Sequence, residues 1–539
     1  MSSLALANWA ATDDIPLLET SCGEALRAAA RDRAQHTALV DAHRDPARRR
    51  RWTYAELLCE AEQTARALLT VFKPGEHVAV WGGNCPAWII LQYGLALAGM
   101  VMVTINPASR LEELAYMLRQ SRARGVFHQA LWRGVVMRKV IDAAVAREAL
   151  DLQHITTLET LREFGASAAS DTALPPVDPQ APCMIQYTSG TTGKPKGALL
   201  NHYSVTNNAR IMALIKQQGP ATINLGVAPL FHTGGCVGNV LGTVQTGGTL
   251  LLPAAFDAEL MLDLIEQERV TYSFGVPTML IALLAAQARQ PRDVSSLEIL
   301  FSGATIVPVE VVRQVEAVFG VTLIIGYGQT ETSPAITHTR PGDSAVDKSE
   351  TIGQPIPHIE VKIIDPASGA TLPVDTPGEL CTRGFHVMMG YYDMPDATAA
   401  TVDADGWLHT GDLCAMDARG FCRVTGRLKD LIIRGGENIY PREIEEVLYA
   451  HPAVSEVAVF GVPDEYWGEQ VGAALVFKAG QAASAAELHA YVAARLARHK
   501  LPAAWYALPA IPATASGKLQ KFRLVEMWRA GELAGSTLA

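Results

Sequence analysis

"YTSGTTGKPKGA", Tyr187 to Ala198, places four aliphatic hydroxyls, three glycines and two lysines within twelve positions. Such a segment is too polar for a core and too patterned for a plain linker. The apolar run that enters it, "CMIQY" (183–187), reads as a buried strand. A glycine-rich turn after a strand exposes backbone N–H groups, and Thr and Ser hydroxyls add donors, which together make a concave anion cradle. Lys194 and Lys196 supply positive charge that reaches phosphate oxygens. The Walker pattern fails at two points: Thr188 stands at its first glycine, and Pro195 stands where its magnesium-binding hydroxyl would be. This is a phosphate loop of another kind, set on an α/β scaffold.

Working outward, β-branched runs alternate with helical stretches on both sides of the loop, the signature of parallel α/β architecture. "HVAVWG" (77–82), "VMVTI" (101–105) and "GVFH" (125–128) precede it. "NLGVAPL" (224–230), "TLLLP" (249–253), "YSFGVP" (272–277), "EILFSG" (298–303) and "TLIIGYG" (322–328) follow. From about 350 to 425, short strands with Gly, Pro and Asp turns predict a small antiparallel β unit. A compact ending of helices and strands begins after "GRLKD" (426–430), with Pro441 suited to the first position of a helix. The expected fold is therefore α/β. A large N-terminal domain (1–428) comprises two α/β subdomains and a small β-barrel-like subdomain, and a small mobile α+β C-terminal domain spans 429–539.

The chain has 539 residues, enough for roughly two to four domains. Its net charge of −10 opposes sequence-independent nucleic-acid binding, which needs a basic footprint. Eight scattered cysteines without a C-x-x-C suit reduced thiols, and the N-terminus lacks a secretory pattern, so the expected compartment is cytoplasmic. "WIILQYGLALAGMVMVTI" (88–105) reaches the lower edge of a membrane span. Gln92, Gly94 and Gly99 interrupt it, and the expectation is a buried helix from Pro86 to Ala98 followed by a strand, with no span. Arg48 to Arg51 is expected to form a solvated strand edge, before a capping box of Thr53 and Glu56.

Five further motifs accompany the loop: "PLFHTGG" (229–235), "GYGQTE" (326–331), "HTGDL" (409–413), "GRLKD" (426–430) and "ATASGK" (513–518). In this order the set resembles the adenylate-forming superfamily of acyl-CoA synthetases, peptide-synthetase adenylation domains and luciferases. It is most similar to fatty-acyl and medium-chain acyl-CoA ligases. The resemblance implies a two-step reaction in which a carboxylate displaces pyrophosphate from ATP and coenzyme A then displaces AMP.

It also implies roles for residues. Thr188, Ser189, Gly190, Thr191, Thr192, Gly193 and Lys196 would hold the β- and γ-phosphates, and Glu331 would hold Mg2+. Gly303 and Ala304 would line adenine. Within "GYGQTE", Gly326, Tyr327, Gly328, Gln329 and Thr330 would border the nucleotide, with Tyr327 offering a ring face and Thr330 a donor to the α-phosphate. Asp412 would accept from the ribose hydroxyls and Arg427 would grip ribose or α-phosphate. Lys518 would bridge carboxylate and α-phosphate as the main catalytic group, together with Thr188, Glu331 and His232. Lys429 would be a hinge between the two half-reactions, and Gly436 would line the pantetheine channel.

His232 stands where amino-acid-activating relatives place an Asp for the substrate ammonium, which disfavours an α-amino acid. Ile433 replaces a lysine of plant-type hydroxycinnamate ligases. Segments 232–240, 274–280, 302–305 and 328–335 offer apolar and small residues, with Gly234, Gly235 and Gly238 expected to leave space. The expected substrate is a medium- or long-chain fatty acid. The alternatives are an aryl or polycyclic acid, or a nucleotide-binding homologue without turnover. Partners are thus the small acid, ATP and coenzyme A, with oligomeric state open.

Overall fold

The computed structural model describes residues 4–169, 171–188, 195–303, 307, 309–435, 437–513 and 519–538. Among the described residues, two large sheets, one smaller antiparallel sheet and a C-terminal sheet organise the chain. The seven-stranded sheet has a parallel centre built from Pro182–Thr188, Val101–Ile105, His77–Trp81, Gly125–His128 and His154–Thr157. Lys196–Asn201 and Gly390–Tyr391 add antiparallel strands at one edge. The nine-stranded sheet is likewise parallel from Thr322–Gly328 through Ile299–Gly303, Tyr272–Phe274, Ile223–Leu225 and Thr249–Leu252 to Thr37–Asp41.

The local chemistry explains these elements. Val101–Ile105 is buried at every position, as a strand covered on both faces must be. Pro86 opens the helix Pro86–Leu97, and Gly99, at φ +68°, turns the chain into that strand. Thr53 and Glu56 form a reciprocal capping box on the helix Tyr54–Val71. Helices Cys22–Asp32, Tyr54–Val71, Pro86–Leu97 and His202–Ile215 lie between the two large sheets and share one core with them. Separate apolar clusters cover the outer faces, which yields alternating helical and sheet layers.

The region expected to be antiparallel β is a five-stranded sheet: Asn8–Trp9, Ile359–Ile364, Gly378–Gly384, Leu408–Met416 and Cys422–Arg427. The small C-terminal domain has Val454–Asp464 paired with Gly468–Phe477, packed on one face by Pro441–Tyr449 and Ala485–Ala493 and on the other by Lys521–Arg529. No helix among the described residues is long and apolar enough to cross a membrane.

Two local expectations need correction. The strand drawn over "NLGVAPL" stops at Leu225, and the Leu230 N–H beyond it donates to the Asn84 side chain at 2.9 Å. The strand Arg51–Thr53 does lie at a sheet edge, but Arg49 is not solvated: its side chain is 3% exposed and bonds Glu268 at 2.8 Å. Arg51 bonds the same carboxylate, and Arg50 covers the Trp52 ring.

Candidate functional site

Parallel α/β sheets place ligands beyond the carboxyl ends of their strands. Thr188 ends the seven-stranded sheet's Pro182–Thr188, while Gly303 and Gly328 end two neighbouring strands of the nine-stranded sheet. The two ends meet at Glu331, whose Oε1 lies 3.4 Å from the Thr188 hydroxyl and accepts from the Tyr391 hydroxyl at 2.8 Å. Burial and then this carboxylate push the Tyr391 phenol up, so it remains a donor. Lys196 lies over the face of the same ring, its Nζ 4.9 Å from the centroid. Tyr391, which sequence reasoning missed, thus ties the phosphate-loop strand to the carboxylate; the signal was an aromatic residue in the "GYYDMP" turn.

The smaller sheet contributes the second carboxylate. Asp412 and Arg427 are cross-strand partners, and Arg427 Nε lies 3.1 Å from Asp412 Oδ1. Tyr327 and Gln329 donate to Oδ2 at 2.8 and 3.1 Å. Gln329 also donates to the Thr410 carbonyl at 2.7 Å, fixing the "GYGQTE" turn to "HTGDL". Burial, followed by the Asp412 charge, raises the Tyr327 phenol well above its usual range. Thr330 contributes its carbonyl to the Ser333 N–H, which closes the short helical turn Thr330–Thr332.

Glycines close the turn. A Cβ on Gly303 would sit 2.6 Å from the Gly326 carbonyl oxygen, and one on Gly328 would strike Pro334. These positions therefore need glycine for packing whatever is bound. The 332–335 segment is held by Asn208 on the helix His202–Ile215, which accepts from the Ala335 N–H and donates to the Ala335 carbonyl, each at 3.0 Å. Its signal was a polar pair, Asn207–Asn208, on the buried face of that helix.

His232 precedes the π-helical segment Gly234–Leu241, where its carbonyl accepts from Gly235 and Cys236; its ring packs 4.8 Å from that of Phe231. Gly234 leaves space beside it, as expected, whereas a Cβ on Gly238 would touch Met212 and the Thr233 carbonyl at 3.8 Å. Gly235 leaves none: a Cβ there would strike the Pro229 carbonyl, so this glycine serves close backbone approach. Lys429 is the exposed residue of the short turn Leu428–Asp430. Ser189, Gly190, Thr191, Thr192, Gly193, Ala304, Gly436 and Lys518 lie outside the described residues. Ala513 and Leu519, on either side of the "ATASGK" segment's end, form a β-bridge.

For Mg2+, the donor set fits: one buried carboxylate flanked by hydroxyl oxygens is the hard-oxygen surrounding this ion takes. Among the described residues Glu331 has no cationic partner.

Strand ends of two α/β sheets that meet at one buried carboxylate, with a second carboxylate supplied by a small antiparallel sheet, form the arrangement of an adenylate-forming enzyme. The comparisons agree. The model of the AMP-binding enzyme family matches residues 26–392, and that of the AMP-binding enzyme C-terminal domain matches 443–518. The "Putative acyl-CoA synthetase YngI" of Bacillus subtilis (strain 168) is 39% identical over 89% of this chain and 93% of that protein. The human "Medium-chain acyl-CoA ligase ACSF2, mitochondrial" is 33% identical over 94% and 87%. ATP-bound MatB from Rhodopseudomonas palustris superposes with a TM-score of 0.87 at 27% identity, covering 95% of this chain and 99% of that one. The o-succinylbenzoate CoA synthetase MenE of Bacillus subtilis, with its acyl-adenylate, gives 0.82 at 29% over 94% and 98%. The chain belongs to the AMP-binding enzyme family. Within it, the protein is an ATP-dependent, AMP-forming acyl-CoA ligase that works through an acyl-adenylate.

Proposed function

We propose that the acid is a medium- or long-chain fatty acid. The observation that carries this is the segment Gly234–Leu241, which has no charged side chain: Cys236, Val237, Val240 and Leu241 anchor it in the inner core, and a Cβ on Gly234 would meet nothing within 4 Å. Glu331 is turned toward Tyr391 and Thr188, leaving nothing on that segment for a substrate ammonium. The name of the ACSF2 relatives points the same way.

The physical difficulty of the first step is bringing a carboxylate up to a triphosphate, so preorganised positive charge and positioning supply the catalysis. In this reading the loop 188–193 and Lys196 hold the leaving pyrophosphate. Asp412 and Arg427 orient the ribose, Tyr327 and the turn through Gly303 and Ala304 flank adenine, and His232 borders the acyl entrance. Glu331 holds Mg2+, which when bound would neutralise phosphate charge. Lys518 bridges the attacking carboxylate and α-phosphate. The C-terminal domain, bounded at 428/429, turns about Lys429 so that the thiol of coenzyme A follows Lys518 into the crevice past Gly436. Eight unpaired cysteines suit a reducing compartment, here the cytoplasm.

Pyrophosphate release across a panel of acids from C4 to C18, with aryl and steroid acids, tests the substrate. The highest kcat/KM is expected for an aliphatic acid in the medium-to-long range. A maximum at an aryl or steroid acid would replace this reading with the ring-bearing one.

A further inference from the structure

Lys216 follows the helix His202–Ile215 and is 3% exposed. No carboxylate pairs with it among the described residues; its Nζ lies instead over aromatic faces, 4.5 Å from the Phe301 centroid and 5.4 Å from that of Tyr272. Burial alone brings its amine down to about 7. His338, 1% exposed, stacks on Phe301 with centroids 5.1 Å apart and planes 27° from parallel. Neither of its ring nitrogens has a hydrogen-bond partner among the described residues. Burial, then the charges of Lys216 and Arg340, hold the imidazole well below its usual range.

These groups stand directly behind the turn of the site. A Cβ built on Gly326 would lie 2.6 Å from the His338 ring and 2.7 Å from Phe301, and one on Gly303 would lie 3.6 Å from Phe301. Phe301, with Lys216 and His338 around it, therefore packs directly against the back of the glycine turn. The wall beyond is apolar: Tyr272, Ile299 and Ile324 cluster with Phe301 on this face of the sheet. A buried amine and an imidazole without an acceptor are costly in such a place, and Met or Leu would pack there without that cost. Fatty acid methyl groups would leave both unsatisfied.

Resting on the acyl-CoA ligase reading above, and narrowing its fatty acid to one that also carries a carboxylate at the far end of the chain, we propose that Lys216 and His338 form the far end of the acyl site and select α,ω-dicarboxylic over monocarboxylic fatty acids. A carboxylate is an acceptor at every lone pair and would balance an ammonium at Lys216 while taking the His338 N–H. An ω-hydroxyl would satisfy one donor but leave the charge.

The test uses the full chain with ATP, Mg2+ and coenzyme A, and follows AMP formation on matched sets from C4 to C12: monoacid, ω-hydroxy acid and α,ω-diacid. At the preferred length the diacid is expected to exceed the monoacid in kcat/KM by at least about tenfold. Lys216→Met should reverse that order, raising the diacid KM by about tenfold or more while the monoacid holds or gains. His338→Gln, which retains polarity and volume, should weaken the diacid in the same direction and covers the case in which Lys216→Met does not fold. A monoacid preferred at every length, or equal losses on both acids in the variants, overturns the inference and leaves the ligase reading intact. A preference for the ω-hydroxy acid overturns the charge argument. If no acid of any kind yields AMP, the parent reading fails and takes this one with it.

Discussion

Glu331 and Asp412 are buried carboxylates of the site, 8% and 6% exposed, and their surroundings differ in kind. Asp412 is enclosed by Arg427, Tyr327 and Gln329, so its charge is balanced and both oxygens are occupied. Glu331 receives two hydroxyls on Oε1; among the described residues Oε2 has no hydrogen bond, and Lys196 lies over the Tyr391 ring without a salt bridge to the carboxylate. Burying a carboxylate without a counter-charge is costly, so the second arrangement is one that a bound cation completes. The first is complete already, and in the proposed reading a ligand hydroxyl would enter there by exchanging with Tyr327 or Gln329. In that reading, one carboxylate would hold an ion and the other would hold a geometry.

The largest expected effect tests the ion-holding half. Glu331→Gln keeps shape and most hydrogen bonding but removes the charge. Acyl-adenylate formation should fall by on the order of 10²–10³, as when one preorganised electrostatic element is lost. The Mg2+ concentration at half-maximal rate should rise, while transfer to coenzyme A from preformed adenylate is largely kept. Single-turnover measurement of each half-reaction against Mg2+ checks this; an unchanged Mg2+ dependence would break the contrast between the two carboxylates.

Asp412→Asn comes next. It leaves Arg427 partly buried without its partner and would weaken the proposed charge-assisted hydrogen bond to the ribose, worth about 1.5–3 kcal/mol. The expected result is a rise in the KM for ATP of roughly tenfold to a hundredfold, with little change in Mg2+ dependence. If Asp412→Asn instead shifted the Mg2+ requirement as strongly as Glu331→Gln, the carboxylates would share one role.

Much of this geometry was legible in the sequence because its causes are local. The phosphate loop follows a strand whose apolar run announces it, Thr53 and Glu56 sit at capping-box spacing, and Pro86 and Gly99 bracket a helix. What was missed depends on contacts between distant parts of the chain. Thr37–Asp41 joins the nine-stranded sheet beside Thr249–Leu252, and Asn8–Trp9 pairs with Val361 and Lys362, partners that no short window contains. Gly235 looked like free space, whereas its constraint is the Pro229 carbonyl, which only the fold brings there. Arg49 looked solvated because its ion-pair partner, Glu268, lies on another helix. The same applies within the site: Glu331 was visible in its motif, but Tyr391, sixty residues on, becomes its neighbour only through pairing of Gly390–Tyr391 with the strand Lys196–Asn201.

That neighbour supplies the smallest and most discriminating effect. Tyr391→Phe deletes one donor to Glu331 but keeps the ring that faces Lys196, so the phosphate-side contact survives. A single hydrogen bond of about 1 kcal/mol is lost, with the carboxylate otherwise in place. The adenylation rate should fall by about threefold to tenfold, and the Mg2+ optimum should shift in the direction of Glu331→Gln by a smaller amount. The KM for ATP should scarcely move. Tyr391→Leu, which also removes the ring, should add a loss in ATP binding that Tyr391→Phe does not have. Should Tyr391→Phe raise the KM for ATP as much as Asp412→Asn does, Tyr391 would serve the nucleotide directly, and the orientation of Glu331 would need another source.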